Sequence, residues 1–236
     1  MITWDAKAKR FRDSSGRFIS IREVQIQLER GFLASQDAME QLAKDFENGV
    51  ITLAVWQILS AELIKSSLLI GAAIGVGGRK QMTAAHYGYL GSEVKKQYGY
   101  LNATAKNFSK GFKLSNAAKV RISKAGKAVN VEGLSASAAR RAIRSAERAA
   151  KRSEMFAILK RRARLYTFPM RDLYYRGESE MMKAIGKTES KRIRSAAESC
   201  EDCIRWADKG WLPIDEQLPI GRSICGSFCR CRMEYR

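Results

Sequence analysis

The chain has 236 residues, of which 45% are apolar, so it can bury a hydrophobic core and is neither disordered nor collagen-like. Its 43 Lys and Arg residues outnumber the 24 Asp and Glu residues and give a formal net charge of +19. We therefore expect a positive surface that binds a polyanion or an acidic partner. The single histidine leaves few groups for acid–base chemistry near neutral pH, so we predict a non-enzymatic protein.

The N-terminal segment, residues 1–20, is predicted to form a β-hairpin arm. Aromatic and charged residues alternate between Lys9 and Ser20 on either side of an Asp-Ser-Ser-Gly turn signal. Two strands alone are only marginally stable in water. We therefore expect the arm to be ordered against another surface.

Residues 21–113 are predicted to form a helical body. Apolar residues between Arg22 and Asn48 follow a helical period, with an interruption or bend expected near Gly31 and a stop at Gly49. The next stretch has a wide apolar face around Trp56 and Leu59 and is predicted to be the buried helix. A third helix is predicted from one apolar stripe: Val94, Tyr98, Leu101, Ala105 and Phe108.

No membrane segment is predicted. The longest uncharged apolar run, Ser66 to Gly78, is 13 residues long, whereas a helix needs about 20 to cross a bilayer. The start of the chain lacks the apolar core of a secretory signal, so we expect a soluble protein made in the cytoplasm.

Residues 114–165 are predicted to form a basic helical segment. Between residues 101 and 171 there are 18 basic and 3 acidic residues, so this stretch carries +15 of the total charge. A long helix is expected over Ser135–Leu165, with Ser135 or Ser137 as its N-cap. Arginines spaced by four form a line along it, with two more basic residues at the edge, and we call this set the basic ridge: Arg140, Arg144, Arg148 and Arg152, with Arg141 and Lys151.

Two interpretations of the basic ridge are open. It is either a solvated helix face, partly neutralised by Glu147 pairing with Lys151, or a surface that contacts the phosphates of double-stranded DNA. The excess of positive charge is costly through self-repulsion unless a partner compensates it, which favours the second interpretation. Aromatic residues are missing from Lys113 to Met155, which argues against stacking on single strands. Binding is then expected to be non-specific and to weaken with salt.

The C-terminal segment, residues 166–236, contains all five cysteines. A C-x-x-C pair followed about 20 residues later by more cysteines is typical of a structural zinc site. Cys200, Cys203 and Cys225 with either Cys229 or Cys231 would complete four ligands. Disulfides and free thiols are the alternatives; a reducing cytoplasm disfavours disulfides, although a particle released from the cell could oxidise later. The chain is thus predicted to be mainly α, with a hairpin arm and a small Cys-rich α+β module at its C-terminus.

Short motifs near the end of the chain carry a resemblance to a known family. They are Cys200-x-x-Cys203, Gly210-Trp211-Leu212-Pro213-Ile214, Leu218-Pro219-Ile220-Gly221 and Cys225-x-x-x-Cys229-Arg230-Cys231. Together they resemble the C-terminal signature of tailed-phage minor head proteins, the Mu F-like head morphogenesis group in the broad sense. The match is to a variant, because that signature usually has His-Pro before its final C-R-C, and here Cys225 is present without a histidine.

The resemblance implies a low-copy virion protein, made in the host bacterial cytoplasm, that acts in head assembly. Its implied partners are the portal or major capsid protein, further copies of itself and packaged double-stranded DNA. The basic ridge fits such a place, since packed DNA would neutralise it. The alternative is a phage nucleic-acid-binding or DNA-packaging accessory protein that never enters the particle.

Overall fold

The computed structural model describes residues 2–5, 7–8, 10–194, 199–226 and 229–236. The described residues form a mainly helical protein with a small N-terminal sheet and C-terminal strands beside a cysteine cluster, which confirms the predicted fold class. Two short 3-10 turns, at Arg79–Gln81 and Ile214–Glu216, join longer elements. In chain order the strands and helices are β1 (Thr3–Asp5), β2 (Arg10–Arg12), β3 (Phe18–Ile19), α1 (Ile21–Glu47), α2 (Leu53–Gly75), α3 (Ala84–Lys110), α4 (Asn116–Lys127), α5 (Ala136–Leu165), α6 (Pro169–Ala184), β4 (Glu189–Ile193), α7 (Glu201–Asp208), β5 (Trp211–Pro213) and β6 (Arg232–Tyr235).

The N-terminal arm is a three-stranded antiparallel sheet in the order β1-β2-β3. The predicted hairpin corresponds to β2 and β3, although Lys9 lies outside the described residues. The Asp13 carboxylate stabilises the turn by accepting hydrogen bonds from the backbone amides of Ser15 and Arg17 at 2.9 and 3.0 Å. Strand β1 was not predicted; its Trp4 amide donates to a carbonyl just beyond α2, so the sheet rests on the helical body.

Helix α1 begins with a capping box, in which the Ser20 hydroxyl accepts from the Glu23 amide and the Glu23 carboxylate accepts from the Ser20 amide. The helix runs through Gly31 without a break, so an interruption there is wrong, and the alternative of a bend stays a prediction. Gly31 faces α6, where an added Cβ would lie 3.7 Å from Met170 Cε, so a small residue suits this contact. The chain leaves the helix through Gly49, whose φ of 75° favours glycine.

Helix α2 packs against α1, α3 and, most extensively, α6. At Gly71 and Gly75 an added Cβ would overlap the backbone carbonyls of Met170 and Tyr174, so the two helices touch backbone to backbone. Trp56 is fully buried, whereas Leu59 on the predicted apolar face is 41% exposed. The buried side of α2 is therefore set by its small residues as much as by its large apolar ones.

By length and composition α2 could also cross a bilayer, and within the described part of the chain it alone meets that test. In the structure, 44% of its most apolar stretch is buried among the other helices. A core helix of a soluble protein has the same properties. The absence of a membrane segment stays a prediction.

The remaining helices close the core around a group of aromatic rings. Phe46 of α1 lies between Trp56, Phe108 and Phe156, with ring centroids 5.0 to 6.2 Å apart. This cluster joins α1, α2, α3 and α5. The stripe predicted on α3 faces the core, Ser135 caps α5, and α4 packs against α5.

The C-terminal strands form an antiparallel sheet in the order β5-β4-β6. The central strand β4 buries Ser190 and Arg192 on one side, although both are polar. Helix α7 packs on β4, and the described cysteines belong to the same continuous hydrophobic cluster as the helical body.

A buried carboxylate joins α1, α6 and β6. Glu178 of α6 has no solvent exposure and accepts hydrogen bonds from Gln25 at 3.0 Å, from Tyr235 at 2.9 Å and from the hydroxyl of Tyr174. Burial raises the pKa of Glu178 to about 7, against the three hydrogen bonds, which lower it. The folded protein therefore holds a proton that the unfolded chain has already released.

This proton makes stability depend on pH. An unfolded Glu titrates near 4.5, so the contribution is fully present below that pH and is lost as pH rises through about 7. From the two pKa values, we expect the free energy of unfolding of the wild type to fall by about 3 kcal/mol as the pH rises through this range. Glu178→Gln is expected not to show this fall. Urea unfolding at pH 4.5 to 8 measures it. The exposed Glu132→Gln is the control, and parallel profiles for wild type and Glu178→Gln would contradict the assignment.

Candidate metal centre and basic helix surface

Three chain segments bring the cysteines together. Cys200 is the N-cap of α7 and Cys203 lies in its first turn, where the positive end of a helix favours thiolates. Cys225 follows the loop after β5, and Cys229 and Cys231 lie on the approach to β6. The structure thus places all five predicted ligands in one cluster beside the C-terminal sheet.

The sulfur atoms group as two triads, and within each triad all sulfurs lie within 4.8 Å of one another. The first triad is Cys200, Cys203 and Cys225; the second is Cys203, Cys229 and Cys231. Cys203 Sγ lies 3.5 Å from Cys225 Sγ and 3.4 Å from Cys229 Sγ. A tetrahedral zinc site with Zn–S bonds of about 2.3 Å requires sulfurs about 3.8 Å apart. The cluster is therefore close enough to hold a metal ion, and its all-sulfur donor set suits a soft or borderline metal.

No disulfide links these residues, since all five cysteines are free thiols in the structure. A hydrogen bond from Cys231 lowers the pKa of the Cys229 thiol to about 5, and the charge of Arg192 acts in the same direction. Cys231, the donor, keeps its proton, and its pKa is raised. The second triad therefore already contains a group that favours the thiolate form, which is the form that binds metal.

Arg192 is the buried counter-charge of the cluster. Its side chain has no exposure, and its guanidinium donates to Cys203 Sγ at 3.4 Å, to Ser223 Oγ at 2.6 Å and to the Leu218 carbonyl. A buried guanidinium without a negative partner is costly by several kcal/mol. The position of Arg192 is thus consistent with a cysteine cluster that carries net negative charge.

The helical body holds the backbone of the cysteine segment in place. Arg171 of α6 donates to the Cys229 carbonyl at 2.8 Å, and the Tyr175 hydroxyl donates to the Cys231 carbonyl at 3.4 Å. From α1, the Gln25 amide donates to the Met233 carbonyl at 3.2 Å. Because these donors come from two packed helices, the sulfur positions are supported by the core.

The basic ridge lies along the N-terminal half of α5, and all six of its side chains are exposed. None of the six forms an ion pair with a residue that the structure describes. Arg152 donates to the Glu47 carbonyl and packs over the Phe156 ring, and Arg148 donates to the Arg144 carbonyl. Glu147 lies against Gly126 of α4 instead of pairing with Lys151.

The C-terminal half of α5 is different, because two of its basic side chains form ion pairs with the body. Lys160 contacts the Glu47 carboxylate at 2.7 Å, and Arg164 contacts Glu40 at 2.9 Å. Both partners belong to α1, so this half of α5 is attached to the body through charge as well as packing.

Helix α4 adds basic side chains that the sequence prediction did not include. Lys119, Lys124 and Lys127 are exposed, and Arg121 is paired with Glu154 of α5. The sequence signal was present, since α4 lies within the basic segment, but its twelve residues show no arginine line. The α4–α5 unit therefore carries more positive charge than the ridge alone.

The two predicted sites differ in burial. The structure gathers the cysteines beside a buried arginine, and it leaves the basic ridge exposed. Neither Arg192 nor Glu178 was predicted from sequence, since each acquires its role from residues distant along the chain. Comparison with models of known protein families, with curated proteins and with solved structures found no match.

Proposed function

We propose that this chain is a structural protein of a tailed-phage head that docks on the portal or inner capsid and contacts packaged double-stranded DNA through the basic ridge. The observation that carries the proposal is the ridge itself, with six exposed cationic side chains and no ion pair to any described residue. Such a surface is stable against self-repulsion when a polyanion lies on it.

The geometry of the ridge suits phosphates. From Arg140 to Arg152 the helix rises about 18 Å, a length that spans about five phosphates of one DNA strand. Guanidinium groups bind phosphate oxygens in a bidentate manner. Contacts of this kind position a protein on DNA without reading its sequence, as a protein that meets packed DNA requires.

The virion role rests on the resemblance of the C-terminal motif to the Mu F-like group. Docking on a portal or capsid protein also fits the N-terminal arm, where β3 pairs only with β2 within the described chain and a strand from a neighbour could extend the sheet. Copies of the chain around a portal would repeat the same contacts by symmetry. The protein has a structural role in this proposal and performs no catalysis.

Zinc is the metal we propose for the cysteine cluster, in a structural role. Thiolates at tetrahedral spacing are typical zinc ligands, and a donor set made of cysteines alone is typical of structural zinc sites. Bound zinc would join α7 to the segment that leads into β6. The donors from α6 and α1 would then fix the C-terminal module relative to the body.

Quantitative mass spectrometry of purified phage particles tests the virion role. We expect the particles to contain this chain in a fixed copy number relative to the portal protein, and this copy number to stay unchanged after extensive washing. A packaging enzyme of the same phage serves as the control, because it leaves the head before completion. Absence of the chain from particles that retain the portal would contradict the proposal and favour the accessory protein.

A further inference from the structure

The cysteine cluster has one more sulfur than a single four-coordinate metal requires. Its five sulfurs form two triads, and Cys203 is the one member that both triads contain. Cys203 is also the sulfur that lies 3.5 Å from Cys225 in one triad and 3.4 Å from Cys229 in the other. The cluster is thus centred on Cys203.

We propose that the cluster binds two divalent metal ions, one in each triad, bridged by the thiolate of Cys203. This inference rests on the proposed zinc site and extends it. A thiolate has several lone pairs and can bind two soft or borderline ions at once. The arrangement uses every cysteine, whereas a single tetrahedral ion leaves one sulfur of the cluster without a role.

Charge balance supports two ions. Two divalent ions and five thiolates leave one net negative charge, which the single positive charge of Arg192 neutralises. One divalent ion with four thiolates and one thiol leaves two negative charges, and Arg192 neutralises only half of them. Because Cys203, Cys229, Cys231 and Arg192 are all buried, a neutral cluster is favoured over a charged one. The guanidinium donates to the bridging sulfur, where the two triads meet.

The two triads differ in exposure, and this gives the two ions different accessibility. Cys200 and Cys225 of the first triad are half-buried, whereas all three sulfurs of the second triad are buried. Water can therefore complete the coordination of the first ion, and a chelator can reach it. We expect the ion in the first triad to exchange faster.

The test uses the full chain, purified under reducing conditions and titrated with ¹¹³Cd²⁺, a divalent ion with the same preference for thiolates. Native mass spectrometry is expected to show two cadmium ions per chain. Cadmium NMR is expected to show two resonances coupled to each other through the shared sulfur. Two ions without coupling would overturn the bridge, and one ion would overturn the second site while leaving the zinc proposal intact. Binding of no ion would overturn both.

Two serine variants assign the ions to the triads. Cys231→Ser removes a ligand from the second triad only, and Cys200→Ser removes one from the first only. Each is expected to bind one ion and to lose the coupling, with helix content unchanged by circular dichroism. If Cys231→Ser binds as many cadmium ions per chain as the wild type, the Cys231 sulfur is not a ligand and the two-ion arrangement is overturned.

Discussion

Replacing Arg140, Arg144 and Arg148 by alanine is expected to weaken binding to duplex DNA about 500-fold at 0.1 M salt. Each phosphate contact raises the binding constant by about 0.9 log units for a tenfold fall in salt, so three lost contacts remove about 2.7 log units at 0.1 M relative to 1 M. For the wild type, six contacts predict a slope of about −5 for the logarithm of the binding constant against the logarithm of salt concentration. The variant is expected to have a slope of about −3. Fluorescence anisotropy with DNA of unrelated sequences, at several salt concentrations, measures both quantities.

A matched variant separates the basic ridge from net charge. Arg22, Arg30 and Arg79 are exposed and form no ion pair with the described residues, so replacing them by alanine removes the same charge from elsewhere. This control is expected to retain most of the affinity and slope. Equal losses in the two triple variants would show that total charge, and not the ridge, drives binding. A salt-independent affinity in the wild type would contradict phosphate contacts altogether.

Removing the shared sulfur is expected to have the largest effect on stability. In Cys203→Ser both triads lose a ligand, and the buried Arg192 loses its contact with sulfur. Breaking a buried charge pair typically costs about 3–5 kcal/mol, and lost metal affinity adds to this. We expect the free energy of unfolding to fall by at least about 4 kcal/mol, measured by urea unfolding in reducing buffer with zinc.

Cys200→Ser is the matched control for this measurement. It removes the sulfur of the residue that caps the same helix, but Cys200 is half-buried and belongs to one triad only. Its effect on unfolding is therefore expected to be smaller. If both variants lost the same free energy, Cys203 would not be the centre of the cluster. Addition of a strong chelator to the wild type should reproduce the larger loss if metal is responsible for it.

Periodicity and spacing predicted those features that depend on nearby residues. The arginines of the basic ridge recur every four residues, so their common face followed from helix geometry, and the structure leaves them exposed. The C-x-x-C pair likewise marked the start of the cysteine cluster, which the structure brings together with the three later cysteines. Ser135 was one of two predicted caps, and the structure selects it.

Features that depend on distant residues were not predictable. Arg192 belongs to a strand whose neighbours are mostly polar, and its burial is explained by partners 11 or more positions later in the chain: the sulfur of Cys203, the Leu218 carbonyl and the Ser223 hydroxyl. From the sequence alone, Glu178 is typical of a solvated helix residue. Its buried site depends on Gln25, which lies 153 positions earlier in the chain and donates a hydrogen bond to it. The role of Gly71 and Gly75 likewise depends on distant residues, because they allow α6 to touch α2.

The contact of α2 with α6 also determines when the protein can fold during synthesis. Gly71 and Gly75 receive α6 residues about one hundred positions later in the chain, and no nearer segment of the described structure occupies that groove. A ribosome must therefore release most of the chain before the centre of the core closes, and pairing over such separations is slow. Until then the groove of α2 is open to water, so nascent chains are candidates for chaperone binding.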